Sequence, residues 1–147
     1  MVIETDDALA DPLAAGTEAG ERAKAVLARG RLAVLSTERT RRADHGTLGH
    51  GERVMCALTT AVRTALPEAD VVVAKGGITS AEVARAGLGA YAALVLGQVL
   101  PGISVWRLTA FDGRELLYVV VPGNVGEADT LVEVLRAFGG GSGVAPI

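Results

Sequence analysis

The sequence predicts an α/β domain, a three-layer sandwich with a mostly parallel sheet. Three observations predict it. Apolar runs of strand length alternate with segments of helical period along the chain. Two of those runs, VVVA within DVVVAK (70–75) and LLYVVV (116–121), are apolar at every position, as strands covered on both faces are. Each of the two leads into a glycine-containing turn and then a helix. With 147 residues, 50% of them hydrophobic, the chain is long enough for one such core and too short for two ordinary domains.

The elements follow in order. Residues 1–16 are acidic and read as an N-terminal extension. Residues 17–29 (TEAGERAKAVLAR) carry an apolar stripe through Ala23, Val26 and Leu27 and predict a helix that stops at Gly30. RLAVLS (31–36) predicts a short buried strand, and the polar, aperiodic stretch 37–51 a surface loop. Residues 52–66 place Val54, Leu58, Ala61, Val62 and Ala65 on one face, a second helix closed by Pro67. After the strand at 70–75 comes a short helix from about Thr79 to Ala86, ended by Gly87. ALVLGQ (93–98) and ISVWRLT (103–109) predict strands separated by Pro101 and Gly102, and the FDGRE turn pairs the second of them with LLYVVV. Residues 127–138 form the last helix, with Leu131, Val134, Leu135 and Phe138 on one side and Glu127 and Asp129 in its first turn. The domain thus spans 17–138, and 139–147 is a flexible glycine-rich tail.

In open α/β sheets ligands sit at the carboxyl ends of strands, which directs attention to the two glycine junctions. At the first, Lys75 ends the strand, Gly76 and Gly77 allow a tight turn and close approach to a ligand, and Thr79 or Ser80 opens the helix, whose first N–H groups suit an anion. The bland alternatives are a solvated Lys75 and a capping box between Thr79 and Glu82. At the second, Pro122, Gly123, Asn124, Val125 and Gly126 precede a helix. Its acidic first turn would repel a phosphate, so the expected contacts are Gly123 and Asn124. Neither the G-x-x-x-x-G-K-[ST] loop nor a G-x-G-x-x-G dinucleotide fingerprint is present, which sets aside a nicotinamide oxidoreductase.

Composition excludes other classes. A net charge of −3, with both signs mixed along the chain, gives no field for nucleic acid or an anionic membrane. The start lacks the basic and apolar regions of a secretory signal, and the most apolar stretch is broken before it reaches the roughly 18 residues a span needs. The single Cys56 forms no internal disulfide and reads as a small buried hydrophobe, so the expectation is a cytoplasmic protein. His45, His50 and Asp44 lie on a glycine loop without fixed geometry, and no metal site is expected there. Arg39, Arg41 and Arg42 read as a solvated cluster, and Trp106 as core with Arg107 facing outward.

AKGGITSAEVARAGLG, LGQVLPGISVWRL and LYVVVPGNVGEADTLVEVL, in this order, resemble the nucleotide-binding C-terminal domain of the four-carbon acid sugar kinases, the 3-oxo-tetronate and threonate kinases among them. The resemblance runs from about Thr17 to Phe138. It implies a fold that closes with an N-terminal substrate domain over a sugar acid, ATP and Mg2+. It carries the family's GG-x-T nucleotide contacts onto Gly76, Gly77, Ile78 and Thr79, and a later loop glycine onto Gly123. Ser36, Thr37 and Arg39 are the nearest matches to a third contact strand, and Gly97 with Gln98 either line the adenine pocket or pack in the core. Nothing before residue 17 resembles the substrate domain, and the family's serine-containing opening segment is absent. The chain alone is therefore expected to be an incompetent kinase, whose sugar-acid site and probable base come from another domain or chain. An uncovered sheet edge predicts a homo-oligomer or a partner chain. The competing reading is a non-catalytic assembly or regulatory protein that keeps the fold.

Overall fold

The computed structural model describes residues 1–38 and 47–139, which divide into two compact units. Residues 39–46 and 140–147 lie outside the described residues, and with them Arg39, Arg41, Arg42, Asp44, His45 and the glycine-rich tail.

The first unit, Met1–Ala69 with Glu82–Gly89, is built on helices. A two-residue strand β1 (Val2–Ile3) leads into helix α1 (Thr5–Ala10) and then α2 (Pro12–Leu27). The last of these begins earlier than the stripe at 17–29 predicts. Asp11 supplies the reason: its Oδ1 accepts from the amides of Leu13 and Ala14 at 3.1 and 3.0 Å, and Pro12 occupies the first turn, where its missing N–H costs nothing. Residues 1–16 thus carry ordered elements. Helix α3 (Leu48–Ala65) also begins early, because the Thr47 hydroxyl accepts from the His50 amide at 3.3 Å.

Helices α2 and α3 pack through small residues. A methyl group on Gly16 would come within 2.6 Å of Thr60 Cβ and nearer still to the Ala57 carbonyl, and one on Gly20 within 2.5 Å of Thr64 Cβ. Their spacing of four puts both glycines on one face of α2, so the backbones of the two helices nearly touch there. Ile3, Ala8, Ala19, Ala57 and Ala61 form the buried cluster of this unit, with Leu35, Val54 and Leu58 half-buried against it. Arg53 ties α1 to α3 by donating from Nε to the Leu9 carbonyl at 2.9 Å and from Nη2 to that of Ala10 at 3.1 Å. Cys56 is half-buried and free.

The predicted buried strand over 31–36 is corrected. Only Ser36–Thr37 pair, as β2, in parallel with β1, while Leu32 and Val34 are exposed. A ladder can be no longer than its partner, and β1 offers two residues.

The second unit, Asp70–Ala81 with Ala90–Ile147, holds a four-stranded sheet in the order β3 (Val71–Lys75), β6 (Glu115–Val121), β5 (Ile103–Thr109), β4 (Ala93–Leu100). The α/β class stands, but the sheet is mixed rather than mostly parallel: β3 and β6 run parallel, and β6–β5 and β5–β4 antiparallel. The turns at Pro101–Gly102 and Asp112–Gly113 join neighbouring strands directly, and so short a connection can only reverse the chain. Val73, Val119 and Val105 stand in register across three strands, and Ile103, Val121 and Val134 of helix α5 (Thr130–Ala137) complete the buried face. On β6 the next residue, Tyr118, points to the opposite face and is fully buried, its ring 6.2 Å from that of its cross-strand neighbour Trp106. Trp106 itself is half-buried, and Arg107 is exposed beside Glu115 at 4.0 Å.

Between the strands, helix α4 (Gly77–Glu82) starts two residues before Thr79 and continues as a wider helical turn over Val83–Gly87. Helix α5 starts three residues later than predicted, because the Thr130 hydroxyl accepts from the Glu127 amide at 2.7 Å and holds residues 127–129 in a turn. Glu127 and Asp129 therefore precede the helix instead of occupying its first turn.

Candidate functional site

Lys75 is the last residue of β3 and stands in register with Val121, the last residue of β6. The two parallel strands end together, so the loops that leave them emerge side by side. The Gly76 amide donates to the Val121 carbonyl at 2.8 Å and extends the pairing one residue beyond the strand. Gly76 then turns with φ +98°, a conformation that glycine adopts without the clash a side chain would bring. Its carbonyl accepts the first helical bond of α4, from the Ser80 amide at 2.8 Å. The amides of Gly77, Ile78 and Thr79 thus belong to the opening turn, whose N–H groups have no acceptor within their own helix.

The second loop folds over the first. The Val125 amide donates to the Pro122 carbonyl at 3.2 Å and closes a turn over Gly123 and Asn124. A Cβ on Gly123 would lie 3.8 Å from the Gly76 Cα, which shows how near the two glycine turns come. Lys75 Nζ donates to the Val125 carbonyl at 3.4 Å and links strand end to loop. Lys75, Gly77, Ile78, Gly123 and Asn124 are exposed, and Gly76 and Thr79 half-exposed. Chemically this is an ammonium and a short row of backbone donors on an open surface, with bare glycines where a ligand would need close approach.

Ser80, which the sequence also nominates, is turned inward. It is 5% exposed, and its hydroxyl donates to the Ala74 carbonyl at 3.2 Å. The Tyr118 hydroxyl donates to the Ser80 carbonyl at 2.6 Å, so a tyrosine that carried no signal in the sequence steadies the opening helix from beneath. The capping box does not form: Thr79 lies inside α4, and Glu82 pairs with Arg85 at 2.6 Å. Gln98 is also engaged, its Oε1 accepting from the Gly102 amide at 3.1 Å across the hairpin turn. Ser36 and Thr37 form β2 in the first unit.

A cavity of about 420 Å³ lies elsewhere, in the first unit, lined among others by Glu4, Asp7, Asp11, Glu18 and Arg22. Its carboxylates make it a poor host for a phosphate. The Glu38 carboxyl, first through a shared hydrogen bond and then by charge repulsion, raises Glu4 above the usual carboxylate range. Among the described residues no helix is long and apolar enough to cross a membrane.

Comparison with known proteins adds the family. No protein of curated function matches the chain. Among solved structures it is similar to a domain of unknown function, DUF1537, from Bordetella bronchiseptica, a domain-swapped dimer with bound citrate. One crystal form of that protein matches with TM-score 0.61 and 27% identity over 80% of this chain, and another with TM-score 0.62 and 24% identity over 93%. The chain spans only 29% and 32% of those two chains. The family model described as "Nucleotide-binding C-terminal domain" matches residues 2–131, which takes in α1, α2 and both glycine loops. The chain therefore belongs to the nucleotide-binding C-terminal domain family, that of the four-carbon acid sugar kinases.

Proposed function

We propose that this chain is the ATP-binding part of a cytoplasmic kinase that transfers the γ-phosphoryl group of Mg-ATP to a four-carbon sugar acid of the 3-oxo-tetronate or threonate type. The observation that carries the reading is the approach of the two glycine turns, Gly76 and Gly123, at the paired ends of β3 and β6. Phosphoryl transfer asks for positioning and charge stabilisation more than for covalent chemistry. Here the amides of Gly77, Ile78 and Thr79 would bind phosphate oxygens, Lys75 would offset their charge, and Asn124 would offer its side-chain amide. Magnesium enters with the nucleotide, held chiefly by phosphates and water. The sugar-acid pocket and the base that takes the hydroxyl proton are assigned to a substrate domain outside residues 1–147, and these residues by themselves turn over no substrate. Self-association is part of the reading, in keeping with the domain-swapped dimers of the Bordetella relative.

A second reading, a non-catalytic protein that keeps the fold for assembly, is favoured by the exposed apolar edge of β4. Calorimetric titration with Mg-ATP and Mg-ADP separates the two. Saturable binding supports the kinase reading; no heat at millimolar nucleotide removes it and leaves assembly.

A further inference from the structure

Strand β4 is the last strand of its sheet, so its outer row of peptide groups has no strand partner among the described residues. Its first six residues, Ala93 to Gln98, are all exposed, and Leu94, Val95 and Leu96 keep 55%, 63% and 50% of their surface open to solvent. Side chains alternate along a regular strand, so within Ala93–Val95 the side chains of Leu94 and Val95 occupy opposite faces. The edge is thus open on three sides at once: along the ladder and on both faces. Proteins usually protect such an edge with a lysine, a proline, a β-bulge or a covering element. The strand ALVLGQVL has no charge and no proline. Two register shifts, between Val95 and Gly97 and between Gln98 and Leu100, bend only its later half and leave Ala93–Val95 regular.

We propose that this edge is the surface through which two copies of the chain associate, β4 against β4 in antiparallel pairing about a twofold axis near Leu94. A twofold contact sets each residue against its own surroundings, so a charged strand would repel its copy, whereas an uncharged apolar one is complementary to itself. Placing the axis near Leu94 uses the regular segment and keeps both bulges outside the pairing. Leu94 then packs on its counterpart, and Val95 loses solvent on the opposite face. Peptide hydrogen bonds along the edge supply the remaining attraction. A single strand edge covers less than the roughly 800 Å² per partner of stable dimers, so the dimer is weak and forms at micromolar concentrations.

The proposal rests on the self-association part of the function above and is independent of its nucleotide part. The test is light scattering over a concentration series from about 1 to about 200 μM, an interval chosen for a weak interface, on the wild type, Val95→Lys and Leu13→Lys. Leu13 is 60% exposed on α2, in the other unit, and serves as a control in which an exposed aliphatic residue likewise becomes lysine. The expected result is a wild-type dimer whose dissociation constant rises at least tenfold in Val95→Lys and is unchanged in Leu13→Lys, with both variants folded by circular dichroism. Leu94→Cys in a Cys56→Ser background should form a disulfide-linked dimer on mild oxidation. A wild type that stays monomeric throughout overturns both the edge and self-association itself. A dimer that Val95→Lys leaves intact overturns the edge alone.

Discussion

Gly77 offers a perturbation whose structural and ligand effects have opposite signs. A Cβ built there meets no atom within 4 Å, and its φ lies outside the left-handed region that only glycine tolerates well. Gly77→Ala therefore fits the fold, and by restricting the unfolded chain it should stabilise the protein by about 0.4–1 kcal/mol, which raises Tm by about 1–4 °C. The empty space that makes the substitution harmless is where a phosphate must approach the opening turn of α4. Gly77→Leu should fit similarly well yet fill that space, weakening Mg-ATP binding tenfold or more, or about 1.4 kcal/mol. Thermal melts with and without nucleotide read both effects: the ligand-free melting temperature rises or holds while the nucleotide-induced shift shrinks. Gly76→Ala is the contrast. At φ +98° the added methyl costs about 1–2 kcal/mol, so the ligand-free protein itself loses stability. If Gly77→Leu binds Mg-ATP as the wild type does, the phosphates do not pass over this turn and the reasoning fails.

Three further outcomes are expected. Gly16→Ala drives a methyl group into α3, where Thr60 Cβ would lie at 2.6 Å, and should cost about 3 kcal/mol in chemical denaturation; a loss below about 0.5 kcal/mol would mean that the helices separate easily. Tyr118→Phe removes a buried donor to the Ser80 carbonyl and should cost about 1–3 kcal/mol by the same measurement. Because Glu38 raises Glu4 above its unfolded value, protonation of this carboxyl favours the folded chain. That stabilisation is complete below the ordinary glutamate range and lost as pH rises through the raised value. Glu4→Gln should therefore raise the melting temperature at pH 7 relative to that at pH 4, and an unchanged difference between the two would exclude a contribution from the pair.

The strands and the two glycine loops were legible because their signals are local. An apolar run followed by GG or PGN specifies a strand end and a turn without reference to anything distant. The sheet was misread as mostly parallel from its apolar runs, although the PG and DG turns already require reversal and outweigh them. RLAVLS misleads because its strand-like run depends on a partner, and only Val2–Ile3 is there to pair. Gly16 and Gly20 have low helix propensity, yet each allows a backbone to approach, a reason visible only once α3 is in place. The Asp11–Pro12 cap was present in the sequence and points to the true start of α2. The role of Tyr118 had no signature, since a buried hydroxyl needs a carbonyl that only the folded chain supplies.

The pairing of Trp106 with Tyr118 has an experimental consequence. Every tryptophan, tyrosine and phenylalanine of the chain falls between residues 91 and 138, within the second unit, while α1, α2 and α3 belong to the first. Tryptophan emission is therefore a private reporter of the sheet, whereas the far-ultraviolet helical signal comes mainly from residues without an aromatic ring. Unfolding followed by the two signals asks a question that neither could ask alone. Coincident transitions mean that the units melt as one cooperative body, and separated ones mean that each has its own stability.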